Sequence, residues 1–296
     1  MNKILIFFCI STLLLSCSTE GVKSDEKANV AETSSSATDH KEEMTSKVNA
    51  ANSDELPVNS TKAFKNGIVI SWLKHGKGEL IKKGDVISID YKVTLQDGSV
   101  VDGNHLMKKE SFPFVVGFGM QTKGWDFALT NLKVGDFVRV KIPAELARGE
   151  LGIKKEGGKG WFVPPNSVNY LTIRIIKKEK PTRVVSGSKV WLFEENVANK
   201  LKFNKSNSIV FHCMISSESK PSYYNSYRTN TPYNLIYSDK GIIPGLKKAL
   251  INAKKADRMF IIVPSSQAYG SQGSEGNVLP NEDLFYNVLV MDVLEK

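Results

Sequence analysis

The strongest constraint on the fold of this chain is an internal repeat. Residues 124–143 and 245–264 align without a gap at an offset of 121 positions (245 − 124). Seven of the aligned pairs are identical: Gly124/Gly245, Ala128/Ala249, Leu129/Leu250, Asn131/Asn252, Lys133/Lys254, Asp136/Asp257 and Pro143/Pro264. A period of this length is that of a domain rather than of a solenoid unit. The sequence therefore predicts two tandem copies of one domain, over residues 64–182 and 183–296.

Each copy has the pattern of an α+β domain. Residues 86–95 alternate between apolar and polar side chains, which is typical of a strand that is buried on one face. Residues 125–132 have apolar side chains at helical spacing, and alternation resumes in residues 138–142 and 171–176. A single short helix needs the concave face of a sheet to bury its apolar stripe. We therefore predict, for each copy, a curled antiparallel sheet wrapped on one short helix.

The first 17 residues have the order of a secretory signal peptide, with Lys3, an apolar run of twelve residues from Ile4 to Leu15, and then Ser16 and Cys17. An apolar run of this length is too short to cross about 30 Å of hydrocarbon. Residues 14–17 resemble the lipobox of bacterial lipoproteins, in which the cysteine is acylated. We therefore expect a lipid anchor at Cys17 that holds the protein in the cell envelope, at the outer membrane and facing the periplasm. The alternative is a plain signal peptide that ends near a cysteine.

Composition predicts a disordered tether over residues 18–63. Residues 18–60 contain nine acidic residues and four lysines, with no aromatic residue and no apolar periodicity. Such a segment buries too little apolar surface to offset its ordering entropy.

The composition also argues against nucleic acid and metal as partners. The whole chain has a formal net charge of +9, but its lysines are spread without an Arg-rich run, which argues against nucleic acid as a partner. The four histidines have no metal-ligand spacing to one another or to Cys213, so we expect no metal site.

Several motifs occur in an order that is known from one protein family. In the first copy, the letters KGW at 123–125 open the predicted helix and are followed by VGD, by a strand that ends in IP, by a Gly-rich loop and by VPPN at 163–166. The second copy has GIIPGL at 241–246, AYG at 268–270 and VLPN at 278–281. This order resembles that of the FKBP-type peptidyl-prolyl cis-trans isomerases, and the resemblance covers both copies.

The resemblance implies rotation about X-Pro bonds in an apolar pocket. Amide resonance gives this rotation a barrier of about 18–20 kcal/mol. A dry pocket disfavours the charge-separated resonance form, and a shape that is complementary to the twisted amide lowers the barrier further. The family's chemistry needs no nucleophile, metal or cofactor, so we expect no cofactor.

In the first copy, the resemblance implies a pocket with Trp125 as the floor for the proline ring and with Tyr91 and Asp102 as polar groups at the rim. The predicted residues are Tyr91, Asp102, Phe112, Trp125, Val163 and Leu171. The sequence departs from the family where aromatic residues are usual, at Val101, Arg148 and Leu171, and it has Gln121-Thr122 in place of Val-Ile. These departures predict a shallower and wetter pocket.

In the second copy, the resemblance gives His212 the position of the strand tyrosine, Tyr224-Asn225 the Phe-Asp position and Leu246 the position of the tryptophan. The predicted residues are His212, Tyr224, Tyr233, Ile242, Ile243, Leu246, Tyr269, Leu279 and Tyr286. Spacing alone leaves another interpretation open in both copies, because an aromatic residue on a strand or at a helix start is more often part of the core.

We therefore expect a peptidyl-prolyl cis-trans isomerase that helps unfolded or partly folded proline-containing proteins to fold outside the cytoplasm. The first copy is the expected catalyst, because it keeps Tyr91, Asp102 and Trp125. The alternative is a non-catalytic FKBP-like chaperone or a protein-binding scaffold of the cell envelope. A third hypothesis is a purely structural component of the envelope.

Overall fold

The computed structural model of the protein describes residues 48–53, 56–195 and 198–295. The predicted signal peptide with Cys17 and most of the predicted tether lie outside the described residues.

The described residues of the first copy, together with residues 60–63 that precede its predicted start, form an antiparallel sheet of seven strands. The strands are β1 (Ser60–Ala63), β2 (Val69–Lys74), β3 (Val86–Thr94), β4 (Val100–Gly103), β5 (Phe112–Val115), β6 (Phe137–Ile142) and β9 (Asn169–Lys178). Their order in the sheet is β1-β2-β6-β9-β3-β4, and β5 pairs with β3. A separate hairpin consists of β7 (Ile153–Lys154) and β8 (Trp161–Val163).

The described residues of the second copy form a sheet with the same topology. Its strands are β10 (Arg183–Val185), β11 (Ser188–Glu194), β12 (Ser208–Ser217), β13 (Tyr224–Asn225), β14 (Tyr233–Ile236), β15 (Arg258–Val263) and β16 (Leu284–Leu294). Their order is β10-β11-β15-β16-β12-β13, and β14 pairs with β12.

Each sheet packs one face against a short helix. Helix α1 (Lys123–Leu129) buries Trp125, Ala128 and Leu129 in the core of the first copy, and helix α3 (Pro244–Leu250) buries Leu246, Ala249 and Leu250 in that of the second. The second copy also has the single turn α2 (Ser226–Thr229). The predicted α+β fold, with tandem copies rich in antiparallel strands and poor in helix, is confirmed.

The end of the predicted tether is ordered, which corrects the prediction of disorder over that part of residues 18–63. Residues 60–63 form the edge strand β1, and Ala50–Asn52 form one turn of 3₁₀ helix. Ala50, Leu56, Leu73 and Phe137 form a small apolar cluster. The composition of the segment missed this, because only a few apolar residues make these contacts.

Backbone groups of the same segment bind charged side chains on the outer face of the first sheet. The amide of Ala50 donates to Asp90 Oδ2 at 2.8 Å, and Lys92 Nζ donates to the carbonyl of Ala51 at 3.0 Å. The guanidinium groups of Arg139 and Arg174 donate to the carbonyls of residues 53 and 48. Since buried polar groups need hydrogen-bond partners, these bonds explain why the segment is held against the sheet.

An apolar cluster joins the two copies. Val115 and Phe118 of the first copy pack with Phe260 and Phe285 on the outer face of the second sheet, and the rings of Phe118 and Phe285 are 5.7 Å apart. Trp191 Nε1 donates to the carbonyl of Glu179 at 2.9 Å. Part of the outer face of the second sheet is therefore covered by the first copy.

Candidate functional site

Tyr91 and Asp102 meet on neighbouring strands, β3 and β4. Asp102 Oδ1 accepts two hydrogen bonds, from the Tyr91 hydroxyl at 3.1 Å and from the Gly103 amide at 2.8 Å. Both side chains are buried, with Tyr91 3% and Asp102 8% exposed. Burial raises the pKa of Asp102 to about 6, although the Gly103 amide, the Tyr91 hydroxyl and the charge of Arg148 act in the opposite direction.

Aromatic rings surround Tyr91 on the inner face of the sheet. Trp125, in the first turn of α1, stacks on Phe114 at 5.4 Å and meets the ring of Tyr91 edge-on at 5.3 Å. Phe112 meets Tyr91 edge-on at 6.2 Å. Such edge-to-face and offset pairs are the preferred geometries of aromatic rings.

The structure brings together all six residues predicted for the first copy. Tyr91, Trp125, Val163 and Leu171 belong to one buried cluster, and Phe112 packs against that cluster. Asp102 joins them through its bond to Tyr91. The result is an apolar site with one hydroxyl–carboxylate pair, and it contains no side chain arranged as a nucleophile.

The strand ladders align the second copy with the first residue by residue. In the first copy, Tyr91 pairs with Ile173, which pairs with Val138 on its other side. In the repeat alignment Val138 corresponds to Met259, which pairs with Val288, and Val288 pairs with Cys213. Cys213 therefore occupies the position of Tyr91, and the prediction that gave this position to His212 is wrong by one residue. Because successive strand residues point to opposite faces, this difference reverses the side chain's direction.

Hydrogen bonds to the backbone confirm this alignment. Asn104 Oδ1 accepts from the amide of Tyr91 at 2.7 Å, and Ser226 Oγ accepts from the amide of Cys213 at 2.9 Å. His212 lies on the other face, where its Nδ1 is 2.9 Å from Ser226 Oγ and its ring stacks on Tyr227 at 4.7 Å. Burial lowers the pKa of His212. His212 is thus a bonded residue of the outer face rather than a pocket residue.

The same register changes the assignment of two tyrosines. Val93 pairs with Asp102 in the first copy, and the corresponding Ile215 pairs with Tyr224 in the second. Tyr224 therefore occupies the position of Asp102, whereas the prediction paired Asp102 with Asn225. Tyr223, which precedes it, takes the position of Val101. The second copy consequently has no carboxylate and no strand tyrosine at the positions of the Asp102–Tyr91 pair.

Val278, rather than the predicted Leu279, corresponds to Val163. A glycine with a positive φ lies earlier in the same loop in each copy, Gly152 at +50° and Gly273 at +69°. A Cβ at Gly152 would lie 2.5 Å from the carbonyl oxygen of Val163, and one at Gly273 would lie 2.4 Å from that of Val278. Val278 is 5% exposed and belongs to the core, whereas Leu279 is 59% exposed. The Leu-Pro motif misled the prediction because Leu279 aligns with Pro164.

The remaining predicted residues of the second copy lie together. Ile243, Leu246 and Tyr286 belong to its buried cluster, and Ile242, Tyr224 and Tyr233 pack against that cluster. The rings of Tyr224 and Tyr233 are 5.1 Å apart, and Tyr233 stacks on Phe211 at 5.5 Å. Tyr269 is exposed at the edge. Burial raises the pKa of the hydroxyls of Tyr223, Tyr233 and Tyr286, so this site is lined by neutral tyrosines.

Sequence reasoning missed Cys213, Tyr223 and Val278. A signal for Cys213 was present, because Ile209, Phe211 and Ile215 share its parity in β12. Burial raises the pKa of the Cys213 thiol well above its usual range, so the thiol is protonated and unreactive.

A comparison with models of protein families decides the identity of the fold. The model described as FKBP-type peptidyl-prolyl cis-trans isomerase matches residues 77–176 and again residues 199–291. The chain belongs to this family. Both FKBP domains therefore lie within the described part of the chain, and the first match includes Tyr91, Asp102 and Trp125.

Curated FKBP proteins are similar to one domain or to both. FK506-binding protein 1 of Candida glabrata is 29% identical over 118 residues, which is 40% of this chain and 97% of that protein. FK506-binding protein 4 of Neurospora crassa is 33% identical over 118 residues, 40% of this chain and 23% of that protein. Peptidyl-prolyl cis-trans isomerase FKBP10 of Mus musculus is 22% identical over 213 residues, 72% of this chain and 35% of that protein. The chain thus spans well under half the length of these last two relatives.

Among solved structures, the three FKBP domains of wheat FKBP73 are similar at 22% identity and a TM-score of 0.39, with 80% of this chain and 100% of that chain covered. In the part of this chain that the structure describes, no helix has the length and apolarity needed to cross a membrane.

Proposed function

We propose that the first FKBP domain catalyses cis-trans isomerisation of X-Pro bonds in unfolded or partly folded proteins. The observation that supports this most is the buried pair of Tyr91 and Asp102 beside the ring of Trp125. The apolar rings offer a surface for the proline ring, and a dry site destabilises the planar amide relative to its twisted form.

Refolding of a protein whose slow phase is limited by proline isomerisation tests this proposal. The intact chain, in catalytic amounts, is expected to accelerate that phase. Asp102→Leu should lower the acceleration at least tenfold, because the hydroxyl of Tyr91 and the amide of Gly103 lose their acceptor. Tyr224→Leu changes the corresponding residue of the second domain and serves as the matched control. No acceleration by the intact, folded chain would contradict the proposal.

We propose a different function for the second domain, which is to hold proline-containing segments without catalysis. It keeps an apolar wall at Ile243 and Tyr286 and adds the paired rings of Tyr224 and Tyr233. Surfaces lined by aromatic rings bind proline-rich segments in other domains, and the rings of Tyr224 and Tyr233 are both partly exposed. Cys213 and Leu246 stand at the positions of Tyr91 and Trp125, so the residues that would support catalysis are missing.

Calorimetric binding of a proline-containing peptide tests this second function. In a chain with Trp125→Leu, which removes the floor of the first site, the peptide is expected to bind still. Adding Tyr233→Ala should weaken this binding at least tenfold, whereas Met291→Ala, on the exposed part of β16, is the control. Equal binding in the Tyr233 and Met291 variants would contradict a site in the second domain.

We also propose that the protein acts outside the cytoplasm as a lipoprotein anchored through Cys17. The support is the order of Lys3, the apolar run to Leu15 and the lipobox-like residues 14–17. Two or more acyl chains hold a protein firmly in a bilayer. Labelling of bacterial cells with a radioactive fatty acid is expected to label the wild-type protein but not Cys17→Ser. Equal labelling of the two would contradict anchoring at this residue.

A further inference from the structure

Arg148 brings a positive charge to the edge of the first site. It lies between two short 3₁₀ helices, Ala144–Leu146 and Gly149–Leu151. Its Nη2 donates to Gln121 Oε1 at 3.0 Å. Burial lowers the pKa of its guanidinium, and the charge of Asp102 acts in the opposite direction. Arginine remains protonated at physiological pH in such surroundings, so this loop carries a fixed cation.

Most of the hydrogen-bonding capacity of Arg148 is unused. A guanidinium has five N–H donors, and within the described residues Gln121 is the one hydrogen-bond acceptor of Arg148. None of its nitrogens is a buried atom without a partner, so the remaining donors reach solvent at the rim. The two acids of the same loop, Glu145 and Glu150, are exposed.

The second domain lacks this arrangement. Tyr269 corresponds to Arg148, and Ile242 corresponds to Gln121, in the repeat alignment at offset 121. The cation and the amide that orients it are therefore paired features of the first site. Gln121 fixes one edge of the guanidinium, which leaves the other edge for a ligand.

We propose that Arg148 selects substrates in which a residue adjacent to the proline carries a carboxylate. The chemical reason is that the planar fork of a guanidinium binds a carboxylate through two parallel hydrogen bonds. Leu146 and Ala147, which precede Arg148, pack against the cluster that contains Trp125, and Arg148 itself is bonded to Gln121, two residues before helix α1. This geometry puts the free donors at the edge of the site, within reach of a neighbour of the bound proline. Arg148 is then a specificity-determining residue, and this inference rests on the proposed isomerase function of the first domain.

Isomerisation of acetylated and amidated tetrapeptides by the intact chain tests the inference. The peptides carry Glu, Gln or Lys immediately before or immediately after the proline, and kcat/KM is measured for each. We expect kcat/KM to be at least tenfold higher for Glu than for its neutral isostere Gln at one of these positions, and lowest for Lys. The ratio should fall as the salt concentration rises, because the attraction is electrostatic.

Two variants separate charge from geometry. Arg148→Tyr introduces the residue of the second domain and should reduce the Glu-to-Gln ratio to about one while the Gln peptide is still turned over. Arg148→Lys keeps the charge but loses the fork, so it should retain only part of the preference. A wild-type ratio near one at both positions, or an unchanged ratio in Arg148→Tyr, would overturn the inference. A folded wild-type chain that turns over none of the peptides would instead contradict the proposed function.

Discussion

At the scale of single residues, Ala256 has a backbone conformation that favours glycine. Its φ is +69°, and the corresponding Gly135 has a φ of +91°. The two amides make equivalent bonds of 2.8 Å, to the carbonyls of Val290 and Ile175. A left-handed conformation costs a residue with a Cβ roughly 1–2 kcal/mol, and part of this cost would be offset by the greater entropy of unfolded glycine.

Ala256→Gly is therefore expected to raise the free energy of unfolding by about 0.5–1 kcal/mol, measured by urea denaturation. Gly135→Ala is the matched reverse change and should be destabilising, because its Cβ would also lie 3.2 Å from Gly76 Cα. A lower stability of Ala256→Gly would show that strain at this position is absent.

Asp102 is expected to make stability depend on pH. Burial raises its pKa from 3.8 to about 6, so the folded state binds the proton more tightly than the unfolded state. This contribution is complete below the unfolded pKa and is lost as the pH rises through the folded pKa. The difference between the two pKa values corresponds to roughly 3 kcal/mol as an upper limit.

Asp102→Asn removes the ionisation but keeps an oxygen acceptor for Tyr91 and Gly103. It should raise the free energy of unfolding by roughly 1–3 kcal/mol at about pH 7.5 and have little effect at about pH 4. Denaturation curves at the two pH values measure this difference. An equal effect of the substitution at both would contradict the assigned pKa.

At the scale of elements, residues 48–53 and 56 act as a cover on the outer face of the first sheet. They supply hydrogen bonds to the buried Asp90 and Lys92 and the apolar contacts of Ala50 and Leu56. A chain that begins at residue 57 should lose roughly 2–5 kcal/mol of stability, because each lost bond to a buried polar group costs about 1–3 kcal/mol. A chain that begins at residue 48 is the control. Equal stability of the two chains in denaturant would contradict this role.

The two strands β3 and β12 explain how much of the site the sequence could predict. In β3 the outer residues Ser88, Asp90 and Lys92 are polar, so alternation identified the inner face and Tyr91 correctly. In β12 the outer face includes Met214, which packs against the first copy. The outer face of β12 therefore mixes apolar and polar residues, so the period of two that reveals the inner face is weaker than in β3. The error of one residue at His212 follows from this interface between the domains.

The first site was predicted more completely than the second for a related reason. Its residues could be assigned because they lie in motifs that resemble those of the family, such as Trp125 in KGW at 123–125. The partnership of Arg148 with Gln121 joins positions 27 residues apart through loop geometry. No periodicity or composition predicts such a contact.

At the scale of the whole molecule, the interface makes the two FKBP domains one unit. Phe285 is fully buried and contacts both Phe118 of the first domain and Phe260 of the second. We expect a single cooperative unfolding transition in the wild-type chain. Phe285→Ala should cost about 3–5 kcal/mol and separate the transition into two, observed by calorimetry. Met291→Ala, exposed on the same strand, is the control, and an unsplit transition in the Phe285 variant would contradict the coupling.

The functions proposed for the two domains predict that catalysis depends on the first site only. The first domain has Trp125 where the second has Leu246. The ring of Trp125 contacts the ring of Tyr91, and the hydroxyl of Tyr91 donates a hydrogen bond to Asp102. Trp125→Leu gives the first site the residue that the second site has at the corresponding position, and it keeps an apolar side chain there. Leu246→Ala changes the corresponding floor of the second domain.

The most direct test is kcat/KM of the intact chain for cis-to-trans isomerisation of a proline tetrapeptide, in the wild type and in these two variants, each checked for folding by circular dichroism. We predict turnover by the wild type, at least a tenfold loss in Trp125→Leu and no loss in Leu246→Ala. Undiminished turnover in Trp125→Leu, or a loss in Leu246→Ala alone, would contradict this prediction.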